Sequence, residues 1–331
     1  MVQCDCEHLQ TFFLFFGKNS FKKMDYPRPC GCKGRRTCLA CEKEYNFDEK
    51  SFITKYKNLK YYVFCYKCIK IYAGDNVTAT IGSHPEHGAQ IGIEFPGVFV
   101  SPDFISANEE NALMTGIDSL PWDISQSGRR KQNYGPKTNF KKMKLAHGTF
   151  RGFPEYSEFV QERFKDVPLL ADFQTIEQCS LEYNPDKGAS IDPHIDDCWI
   201  WGERVVTVNC LSDSVLTLVR YTGDPKRYNL PLVESYASQL RSPLASEEQL
   251  NGFNDVLIKV PMPNRSLIVL YGSPRYQFEH SVLRTDITSR RVCIAYREFT
   301  PMYLKNGESF EKSEPIFQTA KSFWLDEISA Q

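Results

Sequence analysis

His194-Ile195-Asp196, a distant His280, and Arg291 eleven residues beyond it constrain this chain more than any other feature. On a strand, side chains at i and i+2 share a face, so His194 and Asp196 can reach one metal ion. His280 can join them only if the fold returns its own strand to theirs. Two histidines and one carboxylate on one side of a metal leave positions open, the arrangement of non-haem Fe(II) oxygenases. 2-Oxoglutarate would fill two of those positions and O2 the last. Arg291 suits the far carboxylate of that co-substrate, because a guanidinium stays charged and binds carboxylates as a two-pronged fork.

The remaining pattern supports a mainly β fold. Runs rich in Val, Ile, Tyr and Phe occur at 178–183, 204–211, 215–220, 256–260, 267–271, 278–283 and 291–299, with turn residues between them. Seven such strands, preceded by two helices, predict a jelly roll, the double-stranded β-helix, with helices packed outside. Ser106-Ala107-Asn108-Glu109 is a capping box and should open a helix to about Ser119. Residues 155–164 should form the second helix, and the polar stretch 222–252 an insertion. Hydrophobic residues make up 41% of the 331, enough for a sizeable core. No apolar run approaches the ~18 residues of a membrane span, so no membrane partner is expected.

Six of the twelve cysteines lie between Cys30 and Cys68. With no secretion signal evident, free thiols inside the cell fit better than disulfides. Cys38-x2-Cys41 and Cys65-x2-Cys68 can form a tetrahedral Zn(II) site. That is the simplest set; Cys30 and Cys32 are then extra or replace one pair. Unliganded thiols and an Fe–S cluster are the alternatives. The stretch from Thr80 to Gln90 reads as a linker. The expected organisation is a disordered extension over 1–28, with Met24 an alternative start. A Cys-rich zinc-binding segment follows at 29–76, then an Fe(II)/2-oxoglutarate dioxygenase domain at 92–300 and a tail at 301–331.

The formal net charge of −1 excludes a globally basic nucleic-acid binder but not a local patch. Residues 129–151 carry eight Lys/Arg and no acid, interleaved with Tyr134, Phe140 and Phe150. This basic loop can contact DNA phosphates and stack bases, dock an acidic protein, or simply be solvated.

Five motifs now resemble a known family: PRPCGCKGRRTCLACE, SQSGRRKQNYGPKTNFKK, IDPHIDDCWIWGERVV, GSPRYQFEH and RRVCIAYRE. They are similar to the AlkB-type Fe(II)/2-oxoglutarate dioxygenases, and most to an animal branch of them, over roughly residues 29–300. The resemblance implies that His194, Asp196 and His280 hold iron and that Arg291 holds the co-substrate. It further implies that Arg297 lies near substrate and co-substrate, and that Tyr183 hydrogen-bonds the co-substrate. It places residues 129–151 at the substrate lid. Three positions depart from the bacterial pattern: Leu181 and Cys293 stand where it has Asn, and Cys198 where it has the acid that pairs with Arg297. Asp197 is shifted by one, onto the other face, so Arg297 needs another partner.

The implied activity is oxidative N-demethylation, yielding formaldehyde, succinate and CO2. The implied substrates are monomethyl-lysine on actin, with an effect on actomyosin, and N6-methyladenine in DNA. The implied locations are cytoplasm and nucleus. The departures from the nucleobase pocket favour the protein substrate. A non-catalytic module binding actomyosin or chromatin is the alternative from another class.

Overall fold

The protein is described by a computed structural model over residues 28–33, 36–45 and 56–325. Apart from Arg28, the expected extension over 1–28, with Met24, lies outside the described residues. So do 326–331 of the tail.

Eight strands, four in each of two sheets, make the expected jelly roll. One sheet runs, in spatial order, Ser266–Leu270, Trp201–Cys210, Arg291–Phe299, Glu177–Tyr183. The other runs Ile191–His194, Phe278–Val282, Ser214–Arg220, Val256–Met262. Short strands extend both. Lys60–Cys65 pairs in parallel with Val256–Met262, and Lys70–Ala73 pairs with Lys60–Cys65. The cysteine-rich part of the chain is therefore joined to the jelly roll by main-chain hydrogen bonds.

The first sheet is covered on both faces, which explains its nearly unbroken apolar runs. In Arg291–Phe299, Val292, Ile294 and Tyr296 pack under the outer helices with Leu113, Ile117, Val160 and Phe164. The alternate residues of that strand turn inward, and Cys293 joins the core between the sheets with Tyr183, Val205 and Phe278. Each such aliphatic or aromatic side chain stabilises the fold by about 1.5–3 kcal/mol when fully buried. The period-2 rule therefore sends Arg291 and Arg297 into the same interior.

The helix Ala107–Ser119 carries the predicted capping box. Ser106 Oγ accepts from Glu109 N at 3.3 Å, and Ser106 N donates to Glu109 Oε2 at 2.7 Å. Ser106→Ala is expected to lower stability by about 1 kcal/mol. Urea unfolding should show a lower midpoint with an unchanged slope. The second expected helix is broken: only Glu158–Arg163 is α-helical, between 3-10 turns at Glu155–Ser157 and Phe164–Asp166.

One expectation needs correction, and two expected regions gain a definite structure. The basic stretch 129–151 is largely not a loop. Arg130–Tyr134 is a strand of the first sheet, and Lys137–Asn139 and Lys144–Ala146 form a hairpin. Arg130 forks onto Glu182 at 2.5 and 2.6 Å, and Arg129 is buried. The lysines of the hairpin and Phe140 at its tip remain exposed. The insertion 222–252 is packed against the rest of the fold. Its Tyr228, Val233 and Tyr236 pack on Ile195 and Cys198. The tail is folded as far as described: Phe310–Thr319 is a helix, and Phe323–Trp324 pairs with Phe153–Pro154. Among the described residues no helix is long and apolar enough to cross a membrane.

Candidate metal centre and co-substrate site

His194 and His280 face each other across adjacent strands. They are register partners, and their ring centroids are 4.2 Å apart. Asp196 lies just past the strand end at His194, not on the strand as expected. Its position is set by the loop instead. Arg275, fully buried, donates to Asp196 O at 2.9 Å and to the carbonyls of Trp201 and Gly202. Tyr236 Oη donates to Cys198 O at 3.2 Å, and Cys198 N donates to Tyr228 O at 3.0 Å. The insertion thus clamps the loop that aims the carboxylate. Asp196 Oδ2 stands 3.8 Å from His280 Nε2.

The donor set fits Fe(II). His194 Nδ1–H donates to Asp192 O at 2.8 Å, which fixes the tautomer and leaves Nε2 with its lone pair. Asp196 Oδ2 is buried and makes no hydrogen bond. A buried carboxylate oxygen without a donor is costly, and a cation at that point removes the cost. Burial opposes ionisation of Asp196, but nearby positive charge, Arg297 foremost, holds its carboxyl well below the usual range. Burial pushes both histidines down, His280 further because His194 adds to the effect. Two neutral imidazoles and one carboxylate are the protonation states that metal ligation requires.

Arg297 has the partner that Cys198 could not supply. It donates to Asp196 Oδ1 at 2.9 Å and to Glu177 Oε2 at 2.6 Å. Glu177 begins the neighbouring strand and is the register partner of Arg297. Cys198 is buried beside Arg275, its thiol near Asp196 O at 3.5 Å. Asp197 accepts from Asn229 Nδ2 at 2.8 Å, facing the insertion. Glu177→Gln is expected to cut turnover about 5- to 30-fold, the effect of about 1–2 kcal/mol in one charge-assisted hydrogen bond. Iron content should not change; measuring kcat and bound iron together checks this.

Arg291 lies wholly inside the barrel. Its Nε donates to Asn209 Oδ1 at 2.6 Å, while Nη1 has no hydrogen-bond partner. Asn209 is held in turn by the carbonyls of Ser212, Met262 and Pro263, each at 2.9 Å. Tyr183, the register partner of Arg291, lies with its ring centroid 4.8 Å from that guanidinium and 5.9 Å from that of Arg129. Burial and the nearby Cys293 push its phenol up to about 12, so it stays a donor. A buried guanidinium with an unmet N–H, beside a phenol, fits a carboxylate ligand.

The cysteines do not assemble as the simplest zinc set. The sulfurs of Cys30, Cys32, Cys38 and Cys41 lie within 4.8 Å of one another. Cys65 and Cys68 belong to a separate group with His84 and His87. Two Cys-x2-Cys pairs suggested one site, but they sit on different elements: one at the start of the short helix Leu39–Tyr45, the other at the end of the strand Lys60–Cys65 and in the turn after it. The segment carrying the four-cysteine group is tied to the barrel beside His194. Arg36 pairs with Asp192 at 3.0 Å, and Glu42 forks with Arg284 at 2.7 and 2.8 Å. Ser127 N donates to Cys32 Sγ at 3.3 Å. None of the ten described cysteines forms a disulfide.

Sequence reasoning missed Asn209, Arg275, Glu177, His84 and His87. The last two had a signal: Cys65-x2-Cys68-x15-His84-x2-His87 is a two-cysteine, two-histidine spacing. The others had none, because their partners are distant in the chain.

A jelly roll with two register-paired histidines, a carboxylate and a buried arginine between its sheets defines the Fe(II)/2-oxoglutarate dioxygenase class. The chain is 38% identical over 303 residues to the alpha-ketoglutarate-dependent dioxygenase alkB homolog 4 of Homo sapiens, covering 89% of this chain and 94% of that one. The Mus musculus counterpart is also 38% identical, over 299 residues. A Caenorhabditis elegans protein described as a DNA N6-methyl adenine demethylase is 33% identical over 296 residues, covering 86% of this chain and 91% of its own length. The chain belongs to the AlkB-type dioxygenase family. No family model matches it. The solved structure of OsALKBH1 aligns at 10% identity with a TM-score of 0.38, over 62% of this chain and all of that one.

Proposed function

We propose that this chain is an Fe(II)/2-oxoglutarate-dependent demethylase that acts on monomethyl-lysine of a protein such as actin, and so regulates actomyosin. The observation that carries the oxygenase part is the pair of unmet buried groups, Asp196 Oδ2 and Arg291 Nη1, inside one barrel. His194, Asp196 and His280 would hold the metal, and Arg291 with Tyr183 the co-substrate carboxylate. When bound, Fe(II) with O2 and 2-oxoglutarate supplies the oxidising power to hydroxylate an N-methyl group, with formaldehyde, succinate and CO2 as products. The residues orient that chemistry: Asn209 fixes Arg291, Asp192 fixes the His194 tautomer, and Arg275 fixes the loop of Asp196. Zn(II) in the four-cysteine group would brace the same side.

The protein substrate is supported by Cys198. Its thiol is buried against Arg275, so the position offers no acid to a nucleobase pocket. A second reading, N6-methyladenine in DNA, is favoured by the exposed lysines and Phe140 of the hairpin 137–146, and by the worm relative. Cytoplasm and nucleus are the corresponding locations. The test is formaldehyde release from a monomethyl-lysine actin peptide and from a methyladenine oligonucleotide, each with an Asp196→Ala control. Release from the peptide alone supports the first reading. Release from the oligonucleotide alone replaces it with the second, and release from neither removes both.

A further inference from the structure

We propose that Cys65, Cys68, His84 and His87 form a closed, structural Zn(II) site, separate from the four-cysteine group. Three of its edges have the lengths a tetrahedral ion demands. Zn–S near 2.3 Å and Zn–N near 2.0–2.1 Å at tetrahedral angles imply about 3.6 Å between sulfur and nitrogen and about 3.3 Å between two nitrogens. Cys65 Sγ to His84 Nδ1 is 3.8 Å, Cys68 Sγ to His87 Nε2 is 3.5 Å, and His84 Nδ1 to His87 Nε2 is 3.3 Å. All four ligand atoms lie within 4.8 Å of one another.

The surroundings orient the ligands as a metal site requires. Ser83 Oγ donates to Thr80 O at 3.0 Å, so at 3.4 Å it accepts from His87 Nδ1–H. That leaves the lone pair on Nε2, which faces Cys68 and His84. Tyr72 stacks on His87 with centroids 3.8 Å apart, and its hydroxyl is 3.4 Å from Cys68 Sγ, placed to donate to a thiolate. Ile69, directly after Cys68, holds φ at +60°, and His87 and Ala89 are also left-handed. Such backbone in a β-branched residue persists only where its neighbours impose it.

A second observation is independent of these distances. Between Ala73 and Glu94 only His87 is buried. The helix Val77–Gly82 buries no residue at all. Six residues are too few to form a stable helix alone, and its apolar side chains, Val77 and Ile81, are only half-buried. Metal ligation would complete its docking: Cys65 ends the strand Lys60–Cys65, Cys68 lies in the turn after it, and the two histidines come from the segment after the helix. Four protein ligands leave no open position, so the ion's role is structural.

Elemental analysis of the purified full chain tests this. His84→Ala with His87→Ala should contain one zinc fewer per chain than the wild type. Cys38→Ser with Cys41→Ser should lose a different one, so the losses add when the changes are combined. His87→Cys should retain zinc, since a thiolate can replace the imidazole. Zinc content unchanged by loss of both histidines would overturn the site and leave a hydrogen-bonded thiol–imidazole cluster in its place. Should the variants not fold, Zn-edge X-ray absorption on the iron-loaded wild type decides. A mixed sulfur and nitrogen shell supports the site, and a sulfur-only shell refutes it.

Discussion

Asp196→Ala is expected to abolish succinate formation. The change deletes one of the three proposed metal ligands and the single carboxylate among them, so the two remaining imidazoles would no longer provide a facial set. It also removes half of the anionic surroundings of Arg297, which then relies on Glu177 alone. Losing that charge-assisted hydrogen bond should lower stability by about 1.5–3 kcal/mol. Asp196→Asn separates the two effects. Its side-chain oxygen can still accept from Arg297, so unfolding should return towards the wild-type midpoint while succinate stays absent. Succinate production equal to the wild type in either variant would remove Asp196 from the metal centre.

Arg291→Ala is expected to raise the 2-oxoglutarate concentration needed for half-maximal turnover by tens to thousands of fold. That range corresponds to about 2–5 kcal/mol for truncating one side of a buried, hydrogen-bonded charge pair. Iron binding should survive, because none of His194, Asp196 and His280 hydrogen-bonds to Arg291; its partners are Asn209 and Met262. Arg291→Lys should recover only part of the loss, since an ammonium is a point charge and cannot fork. A 2-oxoglutarate requirement unmoved by Arg291→Ala would mean that another group receives the carboxylate. The titration of turnover against co-substrate, with bound iron measured alongside, reads both outcomes.

The strands and the main chemical groups were legible along the chain, for local reasons. Both faces of the first sheet are buried, so its strands appear as apolar runs that need no partner to be recognised. The capping box of Ser106 and Glu109 spans only four residues, and the structure reproduces it. The basic stretch was misread because composition cannot say which charges have acidic partners. Glu182, which takes up Arg130 and Arg290, lies far along the chain from the first of them.

What the chain determines by itself is therefore the inventory: two histidines and a carboxylate, an arginine at strand spacing behind them, and paired cysteines. What only the tertiary structure decided is who meets whom. Strand register sets His194 opposite His280, Tyr183 opposite Arg291, and Glu177 opposite Arg297. The parallel pairing of Lys60–Cys65 with Val256–Met262 carries Cys65 away from Cys38 and towards His84. Register is a contact between segments distant in sequence, fixed by burial of whole faces, and no local spacing encodes it.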